Sequence, residues 1–163
     1  MEYIAKEAGI GKGTVYEYFE SKEHLFEEIL KFSIEEFRFG LKDCMDQGET
    51  LEERLRNYSR YNVEFLNSHM DILQIAMQVN MLSKEIRIQL IAGRAIIYEH
   101  FKEIVKAAKV KGECRADLDE ELATFCIIGT LDEFCKQRVF CNRRPLGEID
   151  HQAIVDLVLK GMR

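Results

Sequence analysis

The chain has 163 residues, of which 47% are hydrophobic and 32% charged, and its formal net charge is −6 at pH 7. This balance is typical of a folded globular domain and excludes a largely disordered chain. One proline and ten glycines are too few turn-forming residues for a β-sandwich or β-barrel. Because the chain is acidic overall, we expect any contact with nucleic acid to come from a local surface.

The cysteines and the apolar runs indicate the cellular compartment. No signal-peptide pattern opens the chain, and its apolar runs are shorter than the ~20 residues of a membrane helix. The cysteines are odd in number and have no C-x-x-C spacing, which favours free thiols over a disulfide framework. We expect a cytoplasmic protein with reduced, buried cysteines; the alternative is a thiol sensor at Cys126, Cys135 or Cys141. The five cysteines are Cys44, Cys114, Cys126, Cys135 and Cys141.

The N-terminal segment predicts two short helices joined by a tight turn. Gly9 can adopt the left-handed conformation that ends the first helix, and Gly11 is an acceptable N-cap for the second. We expect Ile10 to fill the angle between the helices, with Val15 and Phe19 facing inward. This is a helix-turn-helix pattern, whose second helix lies in the major groove of DNA. The residues left on or near its outer face and start are Lys12, Gly13, Thr14, Tyr16 and Tyr18.

Residues 4–25 contain the pattern I-A-x-x-A-G-I-x-K-G-T-V-Y-x-Y-F-x-S-K-E-x-L, which resembles the signature of tetracycline-repressor-like (TetR family) transcription regulators. The resemblance implies that Lys12, Gly13 and Thr14 open the recognition helix and approach bases and phosphates. It further implies that Tyr16 and Tyr18 reach phosphate or base methyl groups and that Lys22 holds a phosphate. Lysine and tyrosine hydroxyls suit these roles chemically. The alternative for either tyrosine is packing inside the head.

Two departures from the family pattern affect the expected DNA binding. Gly11 stands where the family usually has serine, and Met1 stands at the motif itself, where the family has a further helix in front. Residues 1–24 contain five glutamates and three lysines, a net charge of −2, which disfavours phosphate binding. We therefore hypothesise a truncated chain or a misassigned start. The alternative is a genuine short protein that binds ligand and partner without DNA.

The rest of the chain has helical periodicity almost throughout. A helix over 22–46 is predicted to stop at Gly48, and Thr50 with Glu53 forms a capping box for a helix to about Ser68. A shorter helix carries Leu73, Met77 and Met81 on one face. Further helices are expected to start at Ser83, which begins a long helix to about Val110, and at Asp117 and Asp150.

Two C-terminal helices have more apolar surface than one chain needs. The stretch 122–131 is apolar almost all round, and the last helix is apolar on more than one face, which favours a helical dimer interface. The alternative is a central core helix with a docked terminal helix. The predicted interface residues are Phe125, Ile128, Leu131, Ile154, Leu157 and Val158.

Together these patterns predict an all-α protein with a partial helix-turn-helix head (1–21, first helix missing) and a helical ligand-binding and dimerisation body (22–163). The resemblance implies that an effector in the body tilts the helix beginning near Lys22. That tilt changes the spacing of two heads, which a palindromic site fixes at about 34 Å. Aromatic and sulfur side chains as a group suggest an apolar pocket, whereas each of them taken singly is better explained as ordinary core. The candidate pocket residues are Phe37, Tyr58, Tyr61, Phe65, Met77, Met81, Tyr98 and Phe101.

The chain offers no pattern for catalysis, a cofactor or a metal. Its histidines lack H-E-x-x-H spacing, and the neighbours Tyr98, Glu99 and His100 point in different directions on a helix. We expect a ligand-responsive, homodimeric transcription regulator, most often a repressor in this family. Its partners would be a double-stranded palindromic operator and a small apolar or aromatic effector. The alternatives are a small-molecule-binding or heterodimerising module without a working DNA head, and a small helical enzyme.

Overall fold

The computed structural model describes residues 1–76, 83–141 and 145–162, and all regular structure in these ranges is helical. The all-α prediction is therefore confirmed. A single π-helical turn, Gln137–Cys141, follows α7, and a 3₁₀ turn, Leu146–Glu148, precedes α8. The α-helices are α1 (Glu2–Glu7), α2 (Lys12–Tyr18), α3 (Lys22–Asp46), α4 (Leu51–Ser68), α5 (Met70–Ala76), α6 (Lys84–Val110), α7 (Glu120–Lys136) and α8 (His151–Lys160).

The turn between α1 and α2 forms as the glycines predict. Gly9 has a φ of 69°, and the N–H groups of Gly9 and Ile10 donate to carbonyls of the last turn of α1 at 3.2 and 3.0 Å, which is a Schellman ending. Gly11 is the extended N-cap of α2. The expected role of Ile10 is wrong, because its side chain is 47% exposed. Ala5 and Val15 are the buried side chains of this hairpin, so small side chains make its contact.

Side-chain caps set the starts of the long helices. Thr50 and Glu53 form the predicted capping box at α4, and Ser83 caps α6 as predicted. For α7 the cap is Asp119 and not the predicted Asp117. Leu118 explains the difference, because its side chain is buried in the core and its N–H donates to the carbonyl of Arg115. The chain is still turning there, so the helix begins only afterwards.

The main core lies between α3, α4, α6, α7 and α8. At its centre the rings of Tyr58 and Phe101 meet edge to face with centroids 4.8 Å apart, and both side chains are fully buried. Between α3 and α4, the Tyr61 ring lies over Gly40, where an added Cβ would overlap it. The Tyr61 hydroxyl donates to the Glu36 carbonyl of α3 at 3.1 Å. These contacts tie α3 to α4 along its middle.

All five cysteines lie in the described ranges as thiols, but only Cys114 and Cys135 are buried; Cys44 is half-buried, and Cys126 and Cys141 are exposed. The expectation of five buried cysteines is therefore wrong. Cys126 lies on α7 and Cys141 lies in the π-helical turn that follows it. Burial raises the pKa of the Cys44 and Cys135 thiols to about 12, which makes both poor nucleophiles. Within the described ranges, no helix is long and apolar enough to cross a membrane.

The last helix docks on α4 through a polar contact at its first residue. Nδ1 of His151 lies 2.8 Å from Oγ of the buried Ser59, and the neighbouring Gln152 accepts a hydrogen bond from Arg56 at 2.8 Å. Burial, reinforced by Arg60, lowers the pKa of His151. The folded chain therefore favours neutral His151.

We expect the free energy of unfolding to fall as the pH drops below about 6.5, the unperturbed histidine pKa. Because the folded-state pKa of His151 is lowered, its contribution is complete above that pH and is lost on acidification. Urea unfolding between about pH 5 and pH 7.5 measures this, and His151→Gln is expected to flatten the profile. Burial also lowers the pKa of His100, so His100→Gln provides the matched comparison. A profile that neither substitution changes would contradict this explanation.

Candidate functional site

The predicted DNA-contacting residues lie on the outer side of α2 and at the start of α3. Lys12, Gly13, Tyr16 and Tyr18 are exposed, and Lys22 is exposed at the first position of α3. Thr14 is half-buried beside the N-cap. Neither tyrosine packs inside the head, so the alternative interpretation of their role does not match the geometry. Their contact with DNA stays a prediction.

The lysine at the start of α2 forms only an exposed ion pair. Nζ of Lys12 pairs with Glu2 at 3.4 Å, and the two side chains are 56% and 84% exposed. Such exposed pairs contribute little stability, so Lys12 can exchange this carboxylate for a phosphate. At Gly13 an added Cβ would meet no heavy atom within 4 Å. This part of α2 is therefore open to the close approach of a duplex.

The junction between the head and α3 is fixed by side chains. Ser21 caps α3 by accepting the N–H of His24 at 3.0 Å, and Nδ1 of His24 accepts the N–H of Glu20 at 3.3 Å. The rings of Phe19 and His24 meet edge on, with centroids 6.0 Å apart. These contacts connect the end of α2 to the first turn of α3.

The predicted pocket residues form three separate aromatic groups. Phe37 contacts Tyr61 and Phe65 between α3 and α4, with centroids 5.7 and 4.8 Å apart. Tyr58 packs on Phe101, and Tyr98 on α6 packs against Phe125 on α7. Met77 and Met81 lie outside the described residues. The common pocket stays a prediction, and the observed ring contacts are those of ordinary helix packing.

One cleft of about 740 Å³ lies at the end of the body away from the head and is lined by other residues. Its walls come from the start of α4, the α6–α7 connection and the end of α8. Two of its carboxylates are already hydrogen-bonded within the protein: Glu113 accepts the N–H of Leu51, and Glu53 closes the capping box with Thr50.

A polar cluster that sequence reasoning missed lies between α4 and α7. The Tyr58 hydroxyl donates to Oδ1 of Asp132, and the Asn62 amide donates to the same oxygen at 3.1 Å and to the Tyr58 oxygen at 3.2 Å. Burial, followed by the Asp132 charge, raises the pKa of Tyr58 well above its usual value. Tyr58 is therefore a permanent donor to this carboxylate.

The predicted dimer residues divide into two sets. Phe125 and Leu157 are 55% and 64% exposed, and Ile154 and Val158 are half-buried against the core. Ile128 and Leu131 are buried inside the protomer, which corrects their assignment to a shared surface. Their side of α7 faces α4 and α6, so their apolar character serves the protomer's own core.

A short helical hairpin with an exposed lysine and tyrosine face, carried on a helical body, defines a helix-turn-helix DNA-binding regulator. Comparison with known families agrees. Residues 1–29 match the family described as "Bacterial regulatory proteins, tetR family", and residues 48–136 match "Tetracyclin repressor-like, C-terminal domain". The chain belongs to the TetR family. It is a ligand-responsive, DNA-binding transcription regulator, as the sequence predicts, and its family is generally not enzymatic.

Similarity to relatives from bacteria extends over most of the chain. The fatty acid metabolism regulator protein of Bacillus subtilis (strain 168) is 26% identical over 134 residues, covering 80% of this chain and 68% of the relative. FadR from Bacillus subtilis in complex with stearoyl-CoA is 25% identical, with a TM-score of 0.66 and coverage of 96% and 83%. PfmR from Thermus thermophilus shares the fold, with 23% identity, a TM-score of 0.73 and coverage of 99% and 85%.

Proposed function

We propose that the protein is a homodimeric repressor whose effector is a long-chain acyl-CoA, which releases it from a palindromic operator. The observation that carries the proposal is a group of apolar side chains left exposed in the N-terminal half of α6. Ile88 and Ile91 are 55% and 71% exposed there, although Ile86 on the same half is buried. An exposed apolar stretch inside a regulator's ligand-binding body suits an aliphatic chain.

The charges beside this stretch support a thioester of coenzyme A. Arg87 and Arg94 flank the exposed isoleucines on the same helix. Guanidinium groups are well suited to phosphates, which coenzyme A carries and a free hydrocarbon lacks. The likeness to a fatty acid metabolism regulator and to a regulator in complex with stearoyl-CoA points to the same class of ligand.

The position of α6 against α3 supports a route from the effector to the head. At Gly93 an added Cβ would lie 3.4 Å from Cγ2 of Ile34 on α3. The N–H of Ser83 donates to Glu27 of α3 at 3.1 Å. A ligand that shifts the N-terminal half of α6 would therefore shift α3. If it favours the wrong spacing of the two heads, DNA is released.

The proposed division of labour follows the sequence prediction. Residues 1–21 are the head and residues 22–163 are the body. Two copies associate through α7 and α8, with Phe125 and Leu157 at the centre of the contact. Ile154 and Val158 support it from the core side.

Operator release tests the proposal. A fluorescent duplex, selected from a random pool by the full chain, is titrated with protein in the presence of hexadecanoyl-CoA, coenzyme A alone or hexadecanoate. We expect hexadecanoyl-CoA to weaken operator binding about tenfold or more, while coenzyme A alone has little effect. Equal affinity with and without saturating hexadecanoyl-CoA would exclude this effector class.

A further inference from the structure

The Asp132 carboxylate is held at the edge of the core by hydrogen bonds from α4. None of the ion pairs in the described ranges involves it, although the residue is half-buried. A half-buried carboxylate outside an ion pair depends on hydrogen bonds to hold its orientation.

Among the described residues, hydrogen bonds reach only one of its oxygens. Tyr58 and Asn62 both donate to Oδ1, and both donors are buried on α4. They fix the orientation of the carboxylate, because each donor is itself held by the core. Oδ2 makes no hydrogen bond within the same part of the chain. It is an acceptor aimed by two buried donors and left available to a ligand.

The surroundings of Asp132 join it to the exposed half of α6. Tyr98 and Phe125, whose ring centroids are 4.9 Å apart, mark the region where α6 and α7 touch. Arg94 lies one turn before Tyr98 on α6. Burial dominates the raised pKa of Tyr58, and the positive charge of Arg94 opposes that rise. Ile91, which lies about one turn before Arg94 on the same helix, is exposed.

We propose that Asp132 accepts a hydrogen bond from an amide N–H of the pantetheine arm of the bound acyl thioester, whose chain lies on the exposed half of α6. This inference rests on the proposed function and adds the group that the protein recognises. A secondary amide supplies the donor that Oδ2 lacks. A free fatty acid supplies a carboxylate instead, which Asp132 repels. Asp132 therefore makes the protein bind the acyl thioester in preference to the free fatty acid.

A pair of ligands that differ in a single N–H tests this directly. The first is the decanoyl thioester of N-acetylcysteamine, and the second is its analogue with an acetate ester in place of the acetamide. Isothermal titration calorimetry with the full-length chain is expected to show about tenfold tighter binding of the amide, the usual strength of a hydrogen bond to a charged group. Asp132→Asn is expected to remove this preference, and Glu99→Gln, at an exposed carboxylate on α6, to retain it.

The outcomes separate the inference from the function on which it rests. Equal binding of amide and ester by the unmodified protein overturns the role of Asp132 and leaves the acyl-thioester proposal intact. No binding of either ligand, together with no operator release by hexadecanoyl-CoA, overturns the proposed function. The comparison of ligands needs no variant, so a poorly folded Asp132→Asn protein does not prevent the test. A preference that survives in well-folded Asp132→Asn also refutes the inference.

Discussion

Lys12→Glu is expected to lower operator affinity about a hundredfold. The substitution removes the predicted phosphate contact and places a negative charge at the start of the recognition helix, where repulsion costs several kcal/mol. It also leaves the stability of the fold nearly unchanged, because the Lys12–Glu2 pair is exposed and such pairs contribute little. Fluorescence anisotropy over a series of salt concentrations measures the effect. The slope of log affinity against log salt concentration should fall by about one, because one phosphate contact fewer releases about one counter-ion fewer.

The matched control is Lys106→Glu on α6. Lys106 is exposed and pairs with Glu103 at 3.8 Å on the same helix, so the change in charge is identical but lies in the body. We expect it to reduce affinity only slightly, through the net charge. If both variants weaken DNA binding equally, the outer face of α2 is not the recognition surface.

Phe125→Glu combined with Leu157→Glu is expected to convert the dimer to monomers. Both side chains are more than half exposed in the protomer, so the substitutions spare its core, but each would bury an unpaired carboxylate in a dimer contact. Sedimentation velocity measures the mass. Operator affinity should fall with it, because a palindromic site requires two heads held one turn of DNA apart.

Phe39→Glu provides the comparison for the dimer prediction. Phe39 is an equally large apolar side chain, exposed on α3, and Arg38 lies near its ring. It is far along the sequence from α7 and α8, and we expect this variant to remain dimeric. A monomer produced by Phe39→Glu, or a dimer that survives the double substitution, would refute the α7–α8 interface.

Local chemistry explains why helix boundaries could be predicted from the sequence. The capping box of Thr50 and Glu53 and the glycine ending at Gly9 depend on residues within one turn of each other. The same reasoning failed at Asp117, because the true start of α7 depends on Leu118 reaching a core assembled from distant helices.

The polar cluster at Asp132 and the buried side of α7 could not be predicted from the sequence, because both depend on side-chain contacts between helices. Tyr58 and Asn62 lie 70 or more residues from Asp132, and no spacing pattern joins them. For Ile128 and Leu131, an all-apolar helix does not reveal which side meets its own protomer and which meets a second copy. Burial assigns both to the protomer, and the exposure of Phe125 marks the other side.

The Tyr61 ring over Gly40 gives α3 a fulcrum. Sliding of α3 along α4 would drive the helix backbone into this ring and break the bond to Glu36, whereas rocking about the contact preserves both. Lys22 lies 18 residues before Gly40, a lever arm of about 27 Å at 1.5 Å per residue. A rotation of about 10° would then swing Lys22 by about 5 Å, comparable to the distance between successive phosphates.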